Sequence, residues 1–223
     1  MKIKNTKVYG LQDSMVRSGY PMQVEEPVNL ETVEFRSDLL LKGSIDRAKK
    51  LANTSVGSGH NNFLKGIIVQ FDILYHQYFA QQLQRYNFVD IISSQSKMHK
   101  LTSIEDIGDN CNKYVLDRII NEVNILIEIY NDNDFPYSYS VFSTNPEGED
   151  VLLIKDKNHC FQYIISNLPM GYQLWMGIST NYLQLKTIYN QRCKHKHKLE
   201  DWVEFGKFIE SLPMSELITD KND

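Results

Sequence analysis

Cysteine is scarce in this sequence of 223 residues and follows no recognisable pattern. The sequence has three cysteines, Cys111, Cys160 and Cys193. Their number is odd, they lie far apart, and no C-x-x-C occurs. A disulfide framework or a zinc site requires paired or closely spaced cysteines. We therefore expect reduced thiols, no metal site and a cytoplasmic location, where thiols stay reduced.

Long apolar runs and domain linkers are missing as well. No run approaches the roughly 20 apolar residues that a membrane span needs, and Met1–Asn5 lacks the apolar segment of a secretory signal. The six prolines are scattered, and there is no internal repeat. We predict no membrane partner and a single domain over residues 1–223, with a flexible tail over 215–223.

The sequence has no excess of positive charge, since its formal net charge is −4. Proteins that bind duplex DNA are usually basic, because phosphate neutralisation dominates their affinity. Nucleic acid therefore ranks last among the partners, with the basic segment 194–198 as its candidate site. A small anionic ligand needs only a few local cations, so the net charge does not exclude one.

Several common catalytic motifs are absent: HExxH, the P-loop, GxGxxG and GxSxG do not occur. What is present is apolar periodicity of two kinds, which predicts an α/β (α+β) protein. The predicted strands include 63–73, 161–166 and 173–178, and the predicted helices are 44–52, 75–86, 114–130, 181–192 and 200–212.

Two polar residues, Asn181 and Arg192, lie eleven positions apart on the predicted helix 181–192. At about 100° per residue, eleven steps place both side chains on one stripe of an α-helix. An amide at one end and a guanidinium at the other suit an extended ligand with polar ends. The alternative is a half-buried helix whose ends happen to be polar.

Three further groups could bind a ligand. Gln82 and Arg85 share a helix face, where the amide could meet a pyrimidine edge and the guanidinium a phosphate. Ser94 and Ser96 belong to a hydroxyl-rich run that could surround phosphate oxygens. His60 precedes a predicted strand. For each group the alternative is a solvated helix face, a turn or a surface histidine.

In order along the chain, these residues resemble the motifs of the flavin-dependent thymidylate synthases. That family has a histidine before a core strand, then Gln-x-x-Arg opening the signature R-H-R-x-x-S-x-N-E-x-S-x-R-Y, then Leu-Pro, a strand and a helix running from Asn to Arg. The R-H-R of the signature is Arg85-Tyr86-Asn87 here. Ser94 stands at its Glu, Ser96 at its second Ser and Met98 at its later Arg.

The resemblance implies a ThyX-like fold, in which a mostly antiparallel central sheet is flanked by helices. It also implies a homotetramer that binds FAD, a pyrimidine nucleotide such as dUMP, and methylenetetrahydrofolate as the one-carbon donor. The flavin would supply the reductive chemistry, while the protein would orient the ligands and polarise the pyrimidine. Arg192 would be the catalytic residue, holding and polarising the pyrimidine.

The remaining roles carried over by the resemblance divide between two ligands. Gln82, Arg85, Ser94, Ser96 and Arg192 would bind the nucleotide, and His60, Arg85, Tyr86 and Asn181 would bind the flavin. The first hypothesis is therefore reductive one-carbon transfer to a pyrimidine nucleotide. The alternative is a nucleotide-binding module that has kept the fold and lost the flavin chemistry.

Overall fold

The computed structural model describes residues 1–26, 38–54, 58–101, 103–132, 139–145, 148–193 and 199–219. Side chains are described for these residues except 38–42, 139–145 and 148–153. The basic segment 194–198 lies outside the described residues, and so do residues 220–223 of the expected tail.

The chain divides into two compact units, each assembled from separate segments. The first unit comprises Met1–Leu74, Gln81–Ser93 and Met176–Asp223, and the second comprises Tyr75–Ala80 and Ser94–Trp175. Every passage of the chain from one unit to the other falls inside a strand or a helix. Sequence composition cannot mark such boundaries, because no loop or linker accompanies them.

Six strands form two sheets. The central sheet has the order β1-β2-β6-β3, and β4 pairs with β5 in a separate antiparallel hairpin. β1 pairs with β2 in antiparallel register, with an irregularity between Lys4 and Lys7. This arrangement confirms the predicted mostly antiparallel central sheet. The strands are β1 (Lys2–Tyr9), β2 (Ile68–His76), β3 (Asp90–Ser94), β4 (Tyr139–Asn145), β5 (Gly148–Ile154) and β6 (Gln173–Asn181).

Eight α-helices occur in the described part of the chain, together with short 3₁₀ turns and one π turn, Tyr189–Cys193. The predicted helices 114–130 and 200–212 are confirmed as α5 and α8. The helices are α1 (Leu11–Arg17), α2 (Asp38–Ala52), α3 (Gln77–Leu83), α4 (Lys97–Leu101), α5 (Asp117–Asn131), α6 (Lys157–Asn167), α7 (Tyr182–Ile188) and α8 (Glu200–Glu210).

The core of the first unit is an aromatic cluster between β2 and α8. Val69 and Phe71 lie on the buried side of β2, where alternate residues point inward. The ring of Phe71 lies 6.1 Å from that of Phe205 and 4.8 Å from that of Phe208. Burying each such ring stabilises the fold by about 1.5–3 kcal/mol. This packing fixes α8, which carries Trp202 on the same buried face.

In the second unit, the predicted strand 161–166 is wrong, because these residues belong to α6. The Oδ1 of Asp156 accepts a hydrogen bond from the backbone N–H of His159 at 2.7 Å and so caps the helix. Cys160 and Ile164, four residues apart, are both fully buried, and α6 packs against α5. The helix cap and this helical spacing outweigh the strand propensity of the aromatic and β-branched residues.

The end of the chain is partly built into the first unit. Residues Ser215–Leu217, at the start of the segment expected to be a flexible tail, form a 3₁₀ turn. Leu217 and Ile218 are fully buried. Their burial follows from sequence, since both are large apolar residues in a segment that is otherwise polar.

Candidate functional site

Two of the predicted site residues come from the end of α3. Gln82 lies in the last turn of α3 and is half-buried. Tyr86 follows in a turn, where its backbone N–H donates to the carbonyl of Leu83 at 3.1 Å. Tyr86 is 9% exposed. The apolar Leu83 anchors this segment in the core at 2% exposure, so Gln82 is held at a fixed place on the surface.

Asn181 acts as the N-cap of α7. Its Oδ1 accepts a hydrogen bond from the backbone N–H of Gln184 at 2.9 Å, and its side chain is buried. Asn is a favoured residue at this position, because its side-chain oxygen satisfies an amide that the helix leaves open. The oxygen of Asn181 is therefore used by the fold, and its amide nitrogen is the group left to meet a ligand.

The predicted helix 181–192 is α-helical only as far as Ile188. The next five residues, Tyr189–Cys193, form a π turn, so the step of about 100° per residue does not extend to Arg192. The prediction of one α-helix running from Asn181 to Arg192 is wrong for this reason. A π turn has a different angular step from an α-helix, and Arg192 is one of the residues in it.

Arg192 is half-buried and held on two sides. Its Nε donates to the hydroxyl of Tyr86 at 3.0 Å, and its guanidinium carbon lies 5.5 Å from the ring centroid of Trp202. Stacking on an aromatic face and a fixed Nε bond together restrict the rotation of the guanidinium. The terminal nitrogens of Arg192 donate to no acceptor within the described residues.

Trp202 completes this group, and sequence reasoning missed it. Its indole N–H donates to the Oε1 of Gln82 at 2.7 Å, across 120 residues of sequence. An aromatic residue at the start of an amphipathic helix resembles an ordinary core residue, and Trp202 is indeed 3% exposed. A buried indole usually finds an acceptor, which was the one available signal, but the sequence does not say which acceptor.

Gln82, Tyr86, Arg192 and Trp202 form what we call the donor cluster, all within the first unit. The side-chain oxygen of Gln82 and the Nε of Arg192 are used inside the cluster. The groups left to meet a ligand are the amide nitrogen of Gln82, the hydroxyl proton of Tyr86 and the terminal nitrogens of Arg192. All of these are hydrogen-bond donors, so the cluster suits a ligand rich in carbonyl or phosphate oxygens.

Arg85 and His60, also in the first unit, are exposed. Arg85 forms no ion pair with any residue in the described ranges. The backbone N–H of His60 donates to the hydroxyl of Ser58 at 3.4 Å. These two side chains are accessible, and no hydrogen bond or ion pair among the described residues connects them to the donor cluster.

Ser94 and Ser96 belong to the second unit and are exposed. Ser94 is the last residue of β3, and the carbonyl of Ser96 accepts from the backbone N–H of Lys100 at 3.1 Å in the first turn of α4. Their hydroxyls are accessible to a ligand or to another chain. Their substrate role remains a prediction.

The second unit also has a polar network that the sequence did not reveal. The ring of His76, which is 6% exposed, contacts the hydroxyl of Tyr78 at 3.1 Å through Nδ1 and the amide of Gln173 at 2.8 Å through Nε2. Nearby in sequence, Tyr172 is fully buried and burial raises the pKa of its hydroxyl. Buried polar groups need partners, and this network supplies them for His76.

The three cysteines are thiols in this structure. Burial raises the pKa of Cys111 and that of Cys160 to about 11. Both are therefore poor nucleophiles at neutral pH, because the thiolate is the reactive form. The thiol of Cys193 lies 3.5 Å from the carbonyl oxygen of Trp202, and its β-carbon packs against Gly206.

Two solved structures of the flavin-dependent thymidylate synthase ThyX from Helicobacter pylori, both complexes with FAD and dUMP, resemble this chain over nearly its whole length. One is 14% identical in sequence, with a TM-score of 0.63 and coverage of 99% of each chain. The other is 13% identical, with a TM-score of 0.63 and coverage of 99% of this chain and 98% of its own. This chain has a ThyX-like fold. The expectation that the resemblance set for the architecture is thereby confirmed.

No family model and no curated protein matches the sequence. At 13–14% identity the likeness to the ThyX structures concerns the fold. Within the described ranges, no helix is both long enough and apolar enough to cross a bilayer. The same residues contain no group of three His, Cys, Asp or Glu side chains suited to a metal ion.

Proposed function

We propose that this protein binds a pyrimidine nucleotide, dUMP or a close variant, at the donor cluster and catalyses reductive one-carbon transfer to it. The observation that carries the proposal is the convergence of Gln82 and Arg192, from distant parts of the chain, through contacts with Tyr86 and Trp202. The ThyX structures of the same fold are complexes with FAD and dUMP, which supports this choice of ligand class.

Arg192 has the central role in this proposal. Its terminal nitrogens would hold a carbonyl oxygen of the pyrimidine and stabilise negative charge that develops there during attack on the one-carbon unit. Tyr86 fixes the Nε, and the face of Trp202 covers one side of the guanidinium. A donor fixed before the substrate arrives stabilises the transition state without having to reorganise.

The residues assigned to the flavin are chemically suited to FAD. Arg85 is an exposed cation, and the amide nitrogen of Asn181 and the hydroxyl proton of Tyr86 are donors. Such donors match the phosphate and carbonyl oxygens of the cofactor. His60 and Arg85 would hold the phosphates, while Tyr86 and Asn181 would orient the rest. When bound, the reduced cofactor supplies the hydride that makes the transfer reductive.

A homo-oligomer, a tetramer by resemblance, fits the exposure of the remaining assigned residues. Arg85, Ser94, Ser96 and His60 are all exposed in the single chain. In an assembly whose active sites lie between subunits, such residues would be covered by substrate, cofactor and a second copy. Methylenetetrahydrofolate is the one-carbon donor proposed with this arrangement.

The test is a native purification followed by an absorbance spectrum and mass spectrometry of the ligands released on denaturation. The protein is then incubated with FAD, a reductant, methylenetetrahydrofolate and dUMP. We expect released flavin and a nucleotide product that carries one additional methyl group. A protein that binds neither flavin nor dUMP would refute the proposal.

A second function is supported by two substitutions in the signature motif. Ser94 and Met98 stand where the family has Glu and Arg, and Met98 is 60% exposed with no charge to offer. The protein would then be a module that senses or sequesters a nucleotide without flavin. Tight binding of dUMP by a colourless protein that forms no methylated product would favour this function.

A further inference from the structure

The orientation of the Gln82 side chain is determined by Trp202. An indole N–H can only donate, so the group that faces it at 2.7 Å must be the amide oxygen of Gln82. The amide nitrogen of Gln82 therefore points to the other side. Turning the amide over would place two donors against each other and leave the buried indole N–H without an acceptor.

Trp202 is itself held rigidly, so this orientation exists before any ligand binds. The indole is 3% exposed and meets the ring of Phe205 edge-to-face at 5.9 Å. The guanidinium of Arg192 lies over its ring, 5.5 Å from the centroid. A buried side chain in contact with both an aromatic ring and a cation has little freedom to follow a ligand that needs the opposite arrangement.

From this arrangement we propose that Trp202 is a positioning residue that makes the donor cluster selective for a 4-oxo pyrimidine over a 4-amino pyrimidine. A uracil-type ring offers a carbonyl oxygen to the Gln82 amide nitrogen, whereas a cytosine-type ring offers an amino group in the same place. The amide nitrogen of Gln82 and the amino group of the ring, both donors, would then face each other. This inference rests on the proposed nucleotide binding and adds its specificity.

The expected preference follows from the cost of the mismatch. An unpaired buried donor weakens binding by roughly 5- to 150-fold. We therefore expect the unmodified protein to bind dUMP at least about fivefold more tightly than dCMP. The preference for dUMP over dCMP should depend on Trp202, although Trp202 need not contact the nucleotide.

The experiment is calorimetric titration of dUMP and dCMP into the full chain and three variants. Trp202→Phe keeps an aromatic ring but removes the N–H, so Gln82 can present either end of its amide. The ratio of the two dissociation constants should fall to within about threefold of one. Trp175→Phe, the matched control at the other tryptophan, should keep the ratio of the unmodified protein.

Gln82→Glu provides an independent arm that does not alter the core. One carboxylate oxygen would accept from Trp202 and the other would face the ligand as an acceptor. This variant should reverse the preference and bind dCMP more tightly than dUMP. It decides the matter if circular dichroism shows that Trp202→Phe is not folded.

The outcomes separate this inference from the proposed function. If the unmodified protein binds neither nucleotide, the proposed function fails. If it prefers dUMP, and folded Trp202→Phe keeps that preference or Gln82→Glu does not reverse it, the role of Trp202 is refuted while the function stands. Displacement of dUMP by 2-deoxyribose 5-phosphate in a manner that depends on Trp202 would show that the cluster reads phosphate, and would also overturn the inference.

Discussion

Arg47 illustrates how a half-buried arginine can serve the fold. Its Nη2 donates to the carbonyls of Met15 and Val16 at 3.2 and 3.4 Å, and its Nε donates to the hydroxyl of Ser18 at 3.1 Å. These carbonyls belong to the last turn of α1, where they also accept from the hydroxyl of Ser18 and the backbone N–H of Gly19. The guanidinium therefore closes the C-terminal end of α1.

Removing this guanidinium should destabilise the protein. We expect Arg47→Ala to lower the free energy of unfolding by about 1–3 kcal/mol, because the charge-assisted hydrogen bonds of Arg47 to the end of α1 are lost. Arg17→Ala is the matched control: Arg17 lies 3.9 Å from Asp13 in a largely exposed ion pair, and its loss should change stability by no more than about 0.5 kcal/mol. Urea unfolding measures both values. An equal or larger loss for Arg17→Ala would contradict this account.

At the scale of single residues, the sequence predicted Gln82, Tyr86 and Arg192 of the donor cluster and missed Trp202. Gln82 and Arg192 could be found, since uncompensated amides and guanidinium groups near helix ends suggest ligands. Trp202 could not be found in this way, because its partner Gln82 is 120 residues away. Its place on the apolar face of α8 already explains why a tryptophan occurs there. The roles predicted for Ser94, Ser96 and His60 stay predictions.

At the scale of elements, the junction between β1 and α1 depends on a glycine. Gly10 has a φ of 68°, and a β-carbon at this position would lie 2.6 Å from the carbonyl oxygen of Gly66. Backbone cannot give way as a flexible side chain can. The left-handed conformation and the close approach both require glycine here.

A pair of substitutions tests this requirement. Gly10→Ala should lower the free energy of unfolding by more than about 1 kcal/mol, because strain and a backbone clash add. Gly43→Ala lies inside α2, where no described atom outside the local helix backbone comes within 4 Å of the added carbon, and it should raise the free energy of unfolding by about 0.5–1 kcal/mol. Urea unfolding of both variants gives the comparison, and a Gly10→Ala protein as stable as the parent would refute the account.

Helices and strands differed in how well the sequence predicted them. α5 and α8 could be predicted, since each has a long apolar stripe at helical spacing. The segment 161–166 was predicted as a strand because its apolar residues are aromatic and β-branched, and the deciding cap at Asp156 lies outside it. The π turn at Tyr189–Cys193 leaves no mark on apolar periodicity, so the aim of Arg192 could not be predicted.

At the scale of the whole molecule, tyrosines in both units make the free energy of unfolding depend on pH in the alkaline range. Burial raises the pKa of Tyr75 and of Tyr182, and burial with Glu210 beside it raises the pKa of Tyr189 to about 12. A raised pKa means that the folded state binds protons more tightly than the unfolded state. The stability that these tyrosines contribute is therefore complete below about pH 10, their unfolded value, and is lost as the pH rises.

This linkage predicts an alkaline loss of stability. The urea midpoint should fall steadily between about pH 10 and pH 12, in step with tyrosinate absorbance at 295 nm. Tyr189→Phe should fall less steeply, because it removes one of the tyrosines whose pKa is raised. Tyr9→Phe, at an exposed tyrosine, is the control. A Tyr189→Phe protein with the unchanged slope would be evidence against the linkage.

The architecture as a whole was within reach of sequence reasoning, whereas the division into two units was not. Ordered motifs were enough to predict a ThyX-like fold, which two solved structures at 13–14% identity confirm. The chain passes from one unit to the other inside strands and inside α3, where the amino-acid composition does not change. Contacts between distant segments create both the units and the donor cluster, and such contacts are what a single sequence does not display.

The most direct test of the central claim is calorimetric titration of dUMP into the unmodified protein, Arg192→Ala and Arg17→Ala. The account predicts binding by the unmodified protein, unchanged affinity in Arg17→Ala, and a loss of roughly 100-fold or more in Arg192→Ala, because charge-assisted hydrogen bonds to the ligand disappear. Equal dUMP affinity in folded Arg192→Ala and the unmodified protein would contradict it.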